Sequence, residues 1–345
     1  MVVTSAVSIR LLASRILNQL RCWTSYALSL LGVVRVRHLP TFVSVEPANF
    51  CQLRCPECPV GTASRLSPLA SSPNRLMPMP LFHRILDQVH SSAHTMQFYF
   101  QGEPLLNRQL PEMIAAAHQL GLYTIVSTNA QALNQEMADA LVQSGLSRII
   151  VSIDGFTQES YEAYRIGGSL EKALNALQYL ANAKKAHKNS IRIELQVLRL
   201  KTNEHEWEWI KKNYRKLGAT HLAFKTDQLY DFEHGHPLMP TSERYSRYRK
   251  TTDGTYIHKK SSPLHSTLYT IHRASGAPCL RLWSGCVITT NGDVLPCCYD
   301  KDHRHALGNI TTHSLREIFH SNKANALRRQ ILCGHLPEMC KNCDK

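Results

Sequence analysis

From Thr41 to residue 227, short apolar runs typical of β-strands alternate with stretches in which hydrophobic residues recur at helical spacing. Short apolar runs predict six β-strands, at residues 42–45, 96–100, 124–127, 148–153, 191–200 and 221–225. Between them, hydrophobic residues recur at helical spacing near residues 80–92, 109–120, 132–144, 169–186 and 204–217. This alternation predicts an α/β fold with a parallel sheet, which right-handed crossovers would curl into a barrel-like shape. The active site of such a fold lies at the carboxyl ends of its strands.

The predicted helices also carry signals for their ends. Gly121, Gly145 and Gly218 fall where helices are expected to stop, because glycine readily adopts the left-handed conformation of a C-cap. Asn203 is expected to cap the helix at 204–217, with Glu206 reaching back to the cap.

Outside this alternation, which covers residues 41–227, the chain divides into three further segments. Residues 1–40 contain no Asp or Glu and carry Arg10, Arg15, Arg21, Arg35 and Arg37. Their apolar residues at helical spacing favour a basic helix packed against the main domain over a membrane-surface helix or a transit-like peptide. Residues 228–278 interleave basic and tyrosine side chains, which favours a bridging segment with exposed helices over a nucleic-acid surface. Residues 279–345 are cysteine-rich and too short to bury a core without metal.

Composition bears on the compartment and on the partners. Ten of the eleven cysteines in the 345 residues fall in two clusters, at 51–58 and 279–343. We recognise no secretory signal, and the uncharged run 22–34 is too short to span a bilayer. We therefore expect a cytoplasmic chain whose cysteines bind metal instead of forming disulfides. The formal net charge of +14 favours an anionic partner, which could be an acidic peptide, a phosphorylated small molecule, a membrane surface or nucleic acid.

Three cysteines follow the first predicted strand at the spacing C-x3-C-x2-C, namely Cys51, Cys55 and Cys58. Three thiolates on one loop can hold three irons of a [4Fe–4S] cubane and leave the fourth iron open to a cosubstrate, which suits catalysis. A structural zinc site, the alternative, would need four ligands, usually as two CxxC pairs.

This stretch resembles the cluster loop of the radical S-adenosylmethionine (SAM) superfamily. The resemblance implies a partial (β/α)6 TIM-like barrel and reductive cleavage of SAM at a [4Fe–4S] cluster, with an electron donor such as flavodoxin or ferredoxin. The resulting 5′-deoxyadenosyl radical would abstract hydrogen from a substrate, while the protein orients the cofactor and excludes side reactions.

Polar residues at the predicted strand ends fit SAM binding by the same resemblance. Gln101-Gly102-Glu103-Pro104 resembles the family's glycine–glutamate motif, although Gln101 stands where a glycine is usual. Gly102 would let backbone carbonyls approach the ligand, and Glu103 would accept from the methionine ammonium. Four more candidate cofactor-binding residues are Asn129, Ser152, Asp154 and Arg165. Of these, Asn129 and Asp154 could equally cap turns, and Arg165 could equally be a surface residue.

The C-terminal cysteines resemble the SPASM/twitch extension of radical enzymes, which implies a small iron–sulfur domain. Asn291-Gly292 predicts a hairpin turn that would bring the cysteines on either side of it together. We expect one auxiliary [4Fe–4S] cluster, with zinc as the alternative, on Cys279, Cys297, Cys340 and Cys343. The remaining cysteines are spare or belong to a second, incomplete cluster, namely Cys286, Cys298 and Cys333. Asp300 is a candidate proton acceptor for an oxidised substrate.

These features predict a radical SAM enzyme that modifies or oxidises a peptide or protein, since a basic face suits an acidic peptide. Three alternatives are radical dehydrogenation or epimerisation of a small sugar or alcohol, RNA modification through residues 228–278, and a metal-binding module without activity. Nucleic acid is not the expected partner, and peripheral membrane contact through residues 1–40 stays an alternative.

Overall fold

The computed structural model describes residues 9–62, 75–259, 279–340 and 343. Its strands are β1 (Phe42–Val45), β2 (Thr95–Phe98), β3 (Tyr123–Thr128), β4 (Arg148–Ser152), β5 (Arg192–Arg199), β6 (His221–Thr226), β7 (Tyr248–Lys250), β8 (Tyr256–His258), β9 (Gly285–Ile288), β10 (Asp293–Leu295) and β11 (Gly308–Asn309). Its α-helices are α1 (Ile9–Leu30), α2 (Pro59–Thr62), α3 (Met79–Val89), α4 (Leu110–Gln119), α5 (Gln135–Gln143), α6 (Gln158–Glu162), α7 (Leu170–Ala186), α8 (Trp207–Asn213), α9 (Arg281–Ser284), α10 (Leu315–His320) and α11 (Asn322–Leu332). Short 3-10 segments cover Pro104–Leu106, Lys201–Glu206, Glu243–Tyr245 and Glu338–Cys340.

Strands β1 to β6 lie side by side in chain order and are parallel throughout. Helices in the crossovers return the chain to the start of each next strand, and the apolar strand interiors, such as Ile149 and Val151 in β4, are fully buried. The six predicted strands and the mostly parallel α/β fold are confirmed, with strand ends within about two residues of the predicted ones. Two of the predicted helix stops are confirmed, because Gly121 and Gly145 directly follow the C-caps of α4 and α5 with φ angles of 70° and 81°. Gly218, with φ 98°, ends the turn that follows α8, since α8 itself stops at Asn213.

The predicted cap of the helix at 204–217 is wrong. Asn203 lies inside the 3-10 segment Lys201–Glu206, and α8 begins only at Trp207. The side-chain oxygen of Asn203, Oδ1, accepts from Trp207 Nε1 at 2.7 Å. The atom that would cap the helix therefore bonds to an indole N–H instead. The Glu206 carboxylate accepts from the backbone N–H of Thr157 at 3.1 Å and supports the start of α6 instead. Contacts with a neighbouring loop therefore override the local capping pattern.

The C-terminal segment continues the barrel sheet. Strand β9 pairs in parallel with β1, with Gly285 opposite Phe42, and β10 returns antiparallel to β9. Gly292, with φ 86°, lies in the turn between them, so the predicted hairpin is confirmed. Trp283 is fully buried and belongs to the same hydrophobic core as the barrel. Residues 279–340 therefore do not bury a core of their own, because their apolar side chains share the core of the larger sheet.

Helix α1 packs on the barrel through polar side chains. Five residues spaced three and four apart are buried on one side of the helix, namely Arg15, Asn18, Cys22, Ser25 and Ser29. Cys22 is fully buried and directs its thiol toward Trp283 O at 3.7 Å, as expected for a packing residue. The favoured interpretation, a helix on the main domain, is confirmed for residues 9–30, but the buried face is the polar one. Among the described residues, no helix is long and apolar enough to cross a bilayer.

The bridging segment packs against the loop that follows β1. Tyr248 is fully buried in a small apolar cluster that also contains Leu53 and Cys55. Between residues 228 and 259 this segment contains the hairpin β7–β8 and one 3-10 turn, so the expected exposed helices are absent from those residues. Its remainder, 260–278, lies outside the described residues, as do residues 1–8 of the N-terminal segment.

Candidate active site

The loop after β1 brings Cys51, Cys55 and Cys58 together at the carboxyl ends of the parallel strands. The backbone N–H of Cys58 donates to Cys55 O at 3.2 Å, which closes a tight turn. Gly61 packs against this turn, since a Cβ there would lie 2.5 Å from Cys55 O. Burial raises the pKa of Cys51 to about 11 and raises that of Cys55 as well. Metal binding at this loop must therefore displace protons from buried thiols.

Gly102 is required by the close approach of the cysteine loop. A Cβ at Gly102 would lie 2.1 Å from Ala48 O and 2.7 Å from Phe50 N. The next residue, Glu103, donates its backbone N–H to Phe50 O at 2.9 Å, and Pro104 starts the following 3-10 turn. The loop after β2 thus packs directly against the loop after β1 and holds it in place.

The Glu103 carboxylate ties the ends of β2 and β3 together. It accepts from Thr128 Oγ1 at 2.6 Å, from Asn129 N at 2.9 Å and from Leu105 N at 3.1 Å, and it is only 3% exposed. Burial raises the pKa of Glu103 and these hydrogen bonds oppose the rise. A carboxylate offers about four acceptor sites, so about one is left for a ligand ammonium.

Asn129 faces the cysteine loop. Its Nδ2 donates to Cys51 Sγ at 3.2 Å, and its Oδ1 accepts from Gln52 Nε2 at 3.1 Å. The neighbouring Ala130 adopts φ 63°, a conformation that L-residues rarely take, and so turns the chain directly after this contact. Asn129 therefore contacts a candidate ligand sulfur. It also caps the following turn, as the sequence had suggested, because Asn129 Oδ1 accepts from Gln131 N at 3.0 Å.

Asp154 and Arg165 form a buried ion pair beside Cys55. Asp154 Oδ2 lies 2.6 Å from both Nε and Nη2 of Arg165, and Asp154 Oδ1 accepts from Leu198 N at 2.6 Å. Arg165 Nη1 lies 3.9 Å from Cys55 Sγ and lowers the pKa of that thiol against the effect of burial. The alternative of a surface arginine is wrong, since the Arg165 side chain is only 15% exposed. Ser152, the last residue of β4, is buried and pairs with Gln196 of β5.

Two carboxylates near the loop were missed in the sequence. Glu57, between Cys55 and Cys58, lies 3.2 Å from His236 Nε2 and accepts from Tyr230 N at 2.9 Å, so it holds the bridging segment onto the cysteine loop. Its place inside the C-P-E-C run was the available signal. Asp227 follows β6, and among the described residues neither of its carboxylate oxygens has a hydrogen-bond partner. Burial raises the pKa of Asp227 to about 7.

The candidate auxiliary ligands fall into two pairs. The first pair is Cys279 and Cys297. Both lie near Arg281 and, together with Cys298, raise the pKa of its guanidinium. Cys298 Sγ accepts from Arg281 Nη1 at 3.5 Å. In the second pair, Cys343 N donates to Cys340 O at 3.3 Å.

The remaining C-terminal cysteines have different surroundings. Cys286 lies in the core within β9, where burial raises its pKa to about 12, and Cys333 is exposed at the end of α11. The loop that carries Cys297 joins the barrel mouth, because Gln101 Nε2 donates to Lys301 O at 2.7 Å.

Asp300 belongs to a turn in this loop. Both of its carboxylate oxygens accept from the backbone N–H of His305, at 3.1 and 3.2 Å, and its own N–H donates to Cys297 O. Asp300 is fully buried, and burial raises its pKa. These bonds give Asp300 a structural task and leave its predicted role as a proton acceptor without supporting geometry.

The donor set fits an iron–sulfur cluster better than a single ion. Within the described part of the chain, no three His, Cys, Asp or Glu side chains close around one metal ion, and Cys51, Cys55 and Cys58 form no disulfide. A cubane spreads three thiolates over three irons, so its ligands stand further apart than those of one zinc. Donors aimed at the sulfurs, Asn129 and Arg165, are the kind of outer contacts that tune such clusters.

Comparison with known families decides the identity of this site. The family model of the radical SAM superfamily matches residues 45–217, and that of the iron–sulfur cluster-binding domain SPASM matches residues 279–344. The chain belongs to the radical SAM superfamily. With a SPASM domain beside the radical SAM domain, it is grouped with enzymes whose cofactors are [4Fe–4S] clusters and SAM. The cysteine loop lies within the first match and the C-terminal cysteines lie within the second.

Individual relatives of this radical SAM chain agree with the family assignment. It is 28% identical to PqqA peptide cyclase of Rhizobium meliloti (strain 1021) over 255 residues, which cover 71% of this chain and 65% of the relative. The match therefore spans slightly less than two thirds of that relative's length.

Solved structures share the fold. SuiB of Streptococcus suis superposes with a TM-score of 0.60 at 13% identity, covering 89% of this chain and 72% of SuiB. The enzyme anSMEcpe with bound AdoMet superposes with a TM-score of 0.58 at 17% identity, covering 88% of this chain and 86% of anSMEcpe. At these identities the structures establish the fold alone.

Proposed function

We propose that this enzyme cleaves SAM at a cluster held by Cys51, Cys55 and Cys58 and directs the 5′-deoxyadenosyl radical at a peptide or protein. The observation that carries the proposal is the three-thiol loop at the strand ends, of which Cys55 is buried, with Asn129 and Arg165 donating toward its sulfurs. When bound, the reduced cluster supplies the electron for SAM cleavage. A donor such as flavodoxin or ferredoxin must then return an electron to the cluster.

The strand-end residues around this loop would divide two tasks. The backbone of Gly102, Glu103 and Pro104, together with Ser152, would form the wall against which SAM binds, with one acceptor site of Glu103 left for its ammonium. The polar groups of Asn129, Asp154 and Arg165 already bond to protein atoms, so they would position the cysteine loop rather than touch SAM directly. This division revises the roles expected from the sequence.

An auxiliary [4Fe–4S] cluster on Cys279, Cys297, Cys340 and Cys343 is part of the proposal. The match of the iron–sulfur cluster-binding model to residues 279–344 supports it. So does the burial of Cys286 in the core, which removes one competing thiol. This cluster would accept an electron from the substrate radical or anchor the substrate. The cytoplasmic assignment from the sequence is kept as part of the proposal, because clusters of this kind suit a reducing compartment.

A peptide or protein substrate is favoured by two kinds of observation. One relative is named PqqA peptide cyclase, and one structural neighbour is SuiB bound to the precursor peptide SuiA, at a TM-score of 0.60 and 13% identity. The net charge of +14 makes an acidic peptide the partner that the protein's own field would attract.

Asp227 is a better candidate for the proton acceptor than Asp300. Oxidation of a substrate releases a proton, and a base is most useful when its pKa lies near the working pH. Burial raises the pKa of Asp227 to about 7 against the opposing charge of Arg247, and among the residues that the structure describes no other residue donates a hydrogen bond to its oxygens. Asp300 is engaged by His305. Asp227→Asn should therefore reduce substrate oxidation more than SAM cleavage.

Fractionated cell extract tests the substrate class. The reduced, reconstituted enzyme is incubated with SAM and each fraction, and the stimulation of 5′-deoxyadenosine formation is measured. We expect stimulation by a peptide fraction that anion exchange retains, loss of stimulation after protease digestion, and a peptide that loses a pair of hydrogens or gains a cross-link. Stimulation that survives protease and resides in the small-molecule fraction, or that ribonuclease removes, would overturn the peptide proposal in favour of a small-molecule or RNA substrate.

A further inference from the structure

Helix α1 presents to solvent the face that a packed amphipathic helix normally buries. Its inward side carries the polar residues described above, while large apolar side chains are exposed along the opposite side, namely Ile9, Leu12, Ile16, Leu20, Trp23 and Leu30. Ile9 is 85% exposed and Trp23 is 56% exposed. We call these six residues the apolar stripe. The six residues lie on one side of the helix, because their spacings are close to whole helical turns. At about 1.5 Å per residue the 22-residue helix is roughly 33 Å long, and the stripe runs along most of it.

Hydrogen bonds on the inward side fix this orientation. The Arg15 guanidinium donates to three backbone carbonyls, those of His90, Leu120 and Gly121, at distances between 2.6 and 3.0 Å. Asn18 Nδ2 donates to Ser92 O at 3.1 Å. Turning the helix to bury the stripe would break these bonds and leave buried carbonyls unsatisfied, which is costly. The apolar stripe is therefore a stable outer surface of the folded protein.

The positive charge near the stripe favours an anionic partner over a second copy of the chain. No Asp or Glu occurs before Glu46, and Arg10, Arg21, Arg35 and Arg37 are all exposed. Arg10 and Arg21 are eleven residues apart, close to three helical turns, so both lie on one side of the helix, roughly a quarter turn or more around from the stripe and next to the exposed Leu17. A second copy of the chain would carry the same net positive charge, which opposes pairing of the two stripes. A peptide would need a groove, whereas the stripe is the convex surface of a single helix.

We propose that α1 is a membrane-surface helix, which lies in the plane of an anionic bilayer with the apolar stripe at the acyl boundary and the exposed arginines at lipid phosphates. A tryptophan among aliphatic side chains, with arginines on the flank, is the composition that such interfacial helices use. The barrel would then be held at the bilayer surface. This inference does not depend on the substrate proposed above.

Vesicle co-sedimentation of the full-length, cluster-loaded protein tests the proposal. The vesicles are phosphatidylcholine alone or with about a third phosphatidylglycerol. We expect sedimentation with the anionic vesicles only, weakening as salt rises. Ile16→Gln/Leu20→Gln/Trp23→Gln should lower the partition constant by roughly a hundredfold, since three partly exposed apolar side chains no longer leave water. Arg10→Gln/Arg21→Gln should weaken anionic binding by about tenfold or more.

Trp209→Gln is the matched control, because Trp209 is 49% exposed on α8, away from the stripe, and should leave binding unchanged. All of the substituted side chains are exposed, so the variants should fold, which near-ultraviolet circular dichroism checks. Absence of sedimentation, or equal sedimentation of the triple variant and the wild type, would overturn the proposal. So would a concentration-dependent dimer that forms without lipid and that the triple variant abolishes, since the stripe would then be an interface between copies.

Discussion

Replacing Asp154 by asparagine tests whether the buried ion pair supports the cysteine loop. Asp154 is fully buried, and its carboxylate accepts three hydrogen bonds of 2.6 Å, two from Arg165 and one from Leu198 N. Asparagine keeps the shape but points an N–H group at a donor, and it leaves the guanidinium without a counter-charge. Removing one partner of a buried pair costs about 3–5 kcal/mol. We therefore expect the unfolding free energy of the cluster-free protein to fall by about that amount in anaerobic urea unfolding.

The same substitution should also weaken the cluster site. Arg165 faces Cys55 Sγ at 3.9 Å, so a displaced guanidinium would no longer favour the thiolate form of Cys55. We expect less iron and sulfide per folded chain, and loss of the SAM-dependent change in the electron paramagnetic resonance spectrum of the reduced protein.

Glu194→Gln is the control for a buried carboxylate away from the cysteines. Glu194 is 1% exposed, but its partners Arg148 and Arg192 are 26% and 42% exposed, so water can solvate them after the change. Glu194→Gln should lower the unfolding free energy by less than Asp154→Asn does, about 1–2 kcal/mol, because water solvates the two arginines. It should leave iron loading intact. Wild-type stability and full iron loading in Asp154→Asn would refute the reasoning.

Three further predictions concern the same framework. Gly102→Ala should lower iron loading sharply, since its Cβ would lie 2.1 Å from Ala48 O, and full loading by iron analysis would contradict this. Burial raises the pKa of Glu46 from 4.5 to about 8, so the folded state holds a proton that the unfolded state releases. Unfolding free energy should then fall between about pH 4.5 and pH 8, by about 5 kcal/mol. Urea unfolding should show a flatter pH profile for Glu46→Gln, and an unchanged slope would count against the assignment. Cys297→Ala should lose about four irons per chain and Cys286→Ala none, and iron loss in the second variant would make Cys286 a ligand.

The elements with strong local signals were predictable from the sequence. Six apolar runs predicted the strands, and Gly121 and Gly145 marked helix ends because each adopts a positive φ. The spacing of Cys51, Cys55 and Cys58 directly after a predicted strand indicated the loop, since three thiols within eight residues can converge on one cluster when the chain turns. These signals are local, so no tertiary contact is needed to interpret them.

The contacts that complete the site were not predictable, because they join residues far apart in the chain. Asn129 reaches Cys51 across 78 residues, and Arg165 reaches Cys55 across 110. These two residues, which the sequence predicted at the cosubstrate, contact cysteine sulfurs in the structure, and such contacts depend on the packing of whole strands. The pairing of β9 with β1 likewise joins residues more than 200 positions apart. The apolar residues of α1 predicted a helix, but only the contacts of Arg15 and Asn18 show which side faces the barrel.

The most direct test of the account is to measure iron, sulfide and 5′-deoxyadenosine in anaerobically reconstituted, reduced protein supplied with SAM. The account predicts about eight irons per chain, four for each of two cubanes, and formation of 5′-deoxyadenosine. The Cys51/Cys55/Cys58→Ala variant should keep about four irons and form no 5′-deoxyadenosine. Zinc without iron in the wild type, or 5′-deoxyadenosine formation that survives loss of the three cysteines, would contradict it.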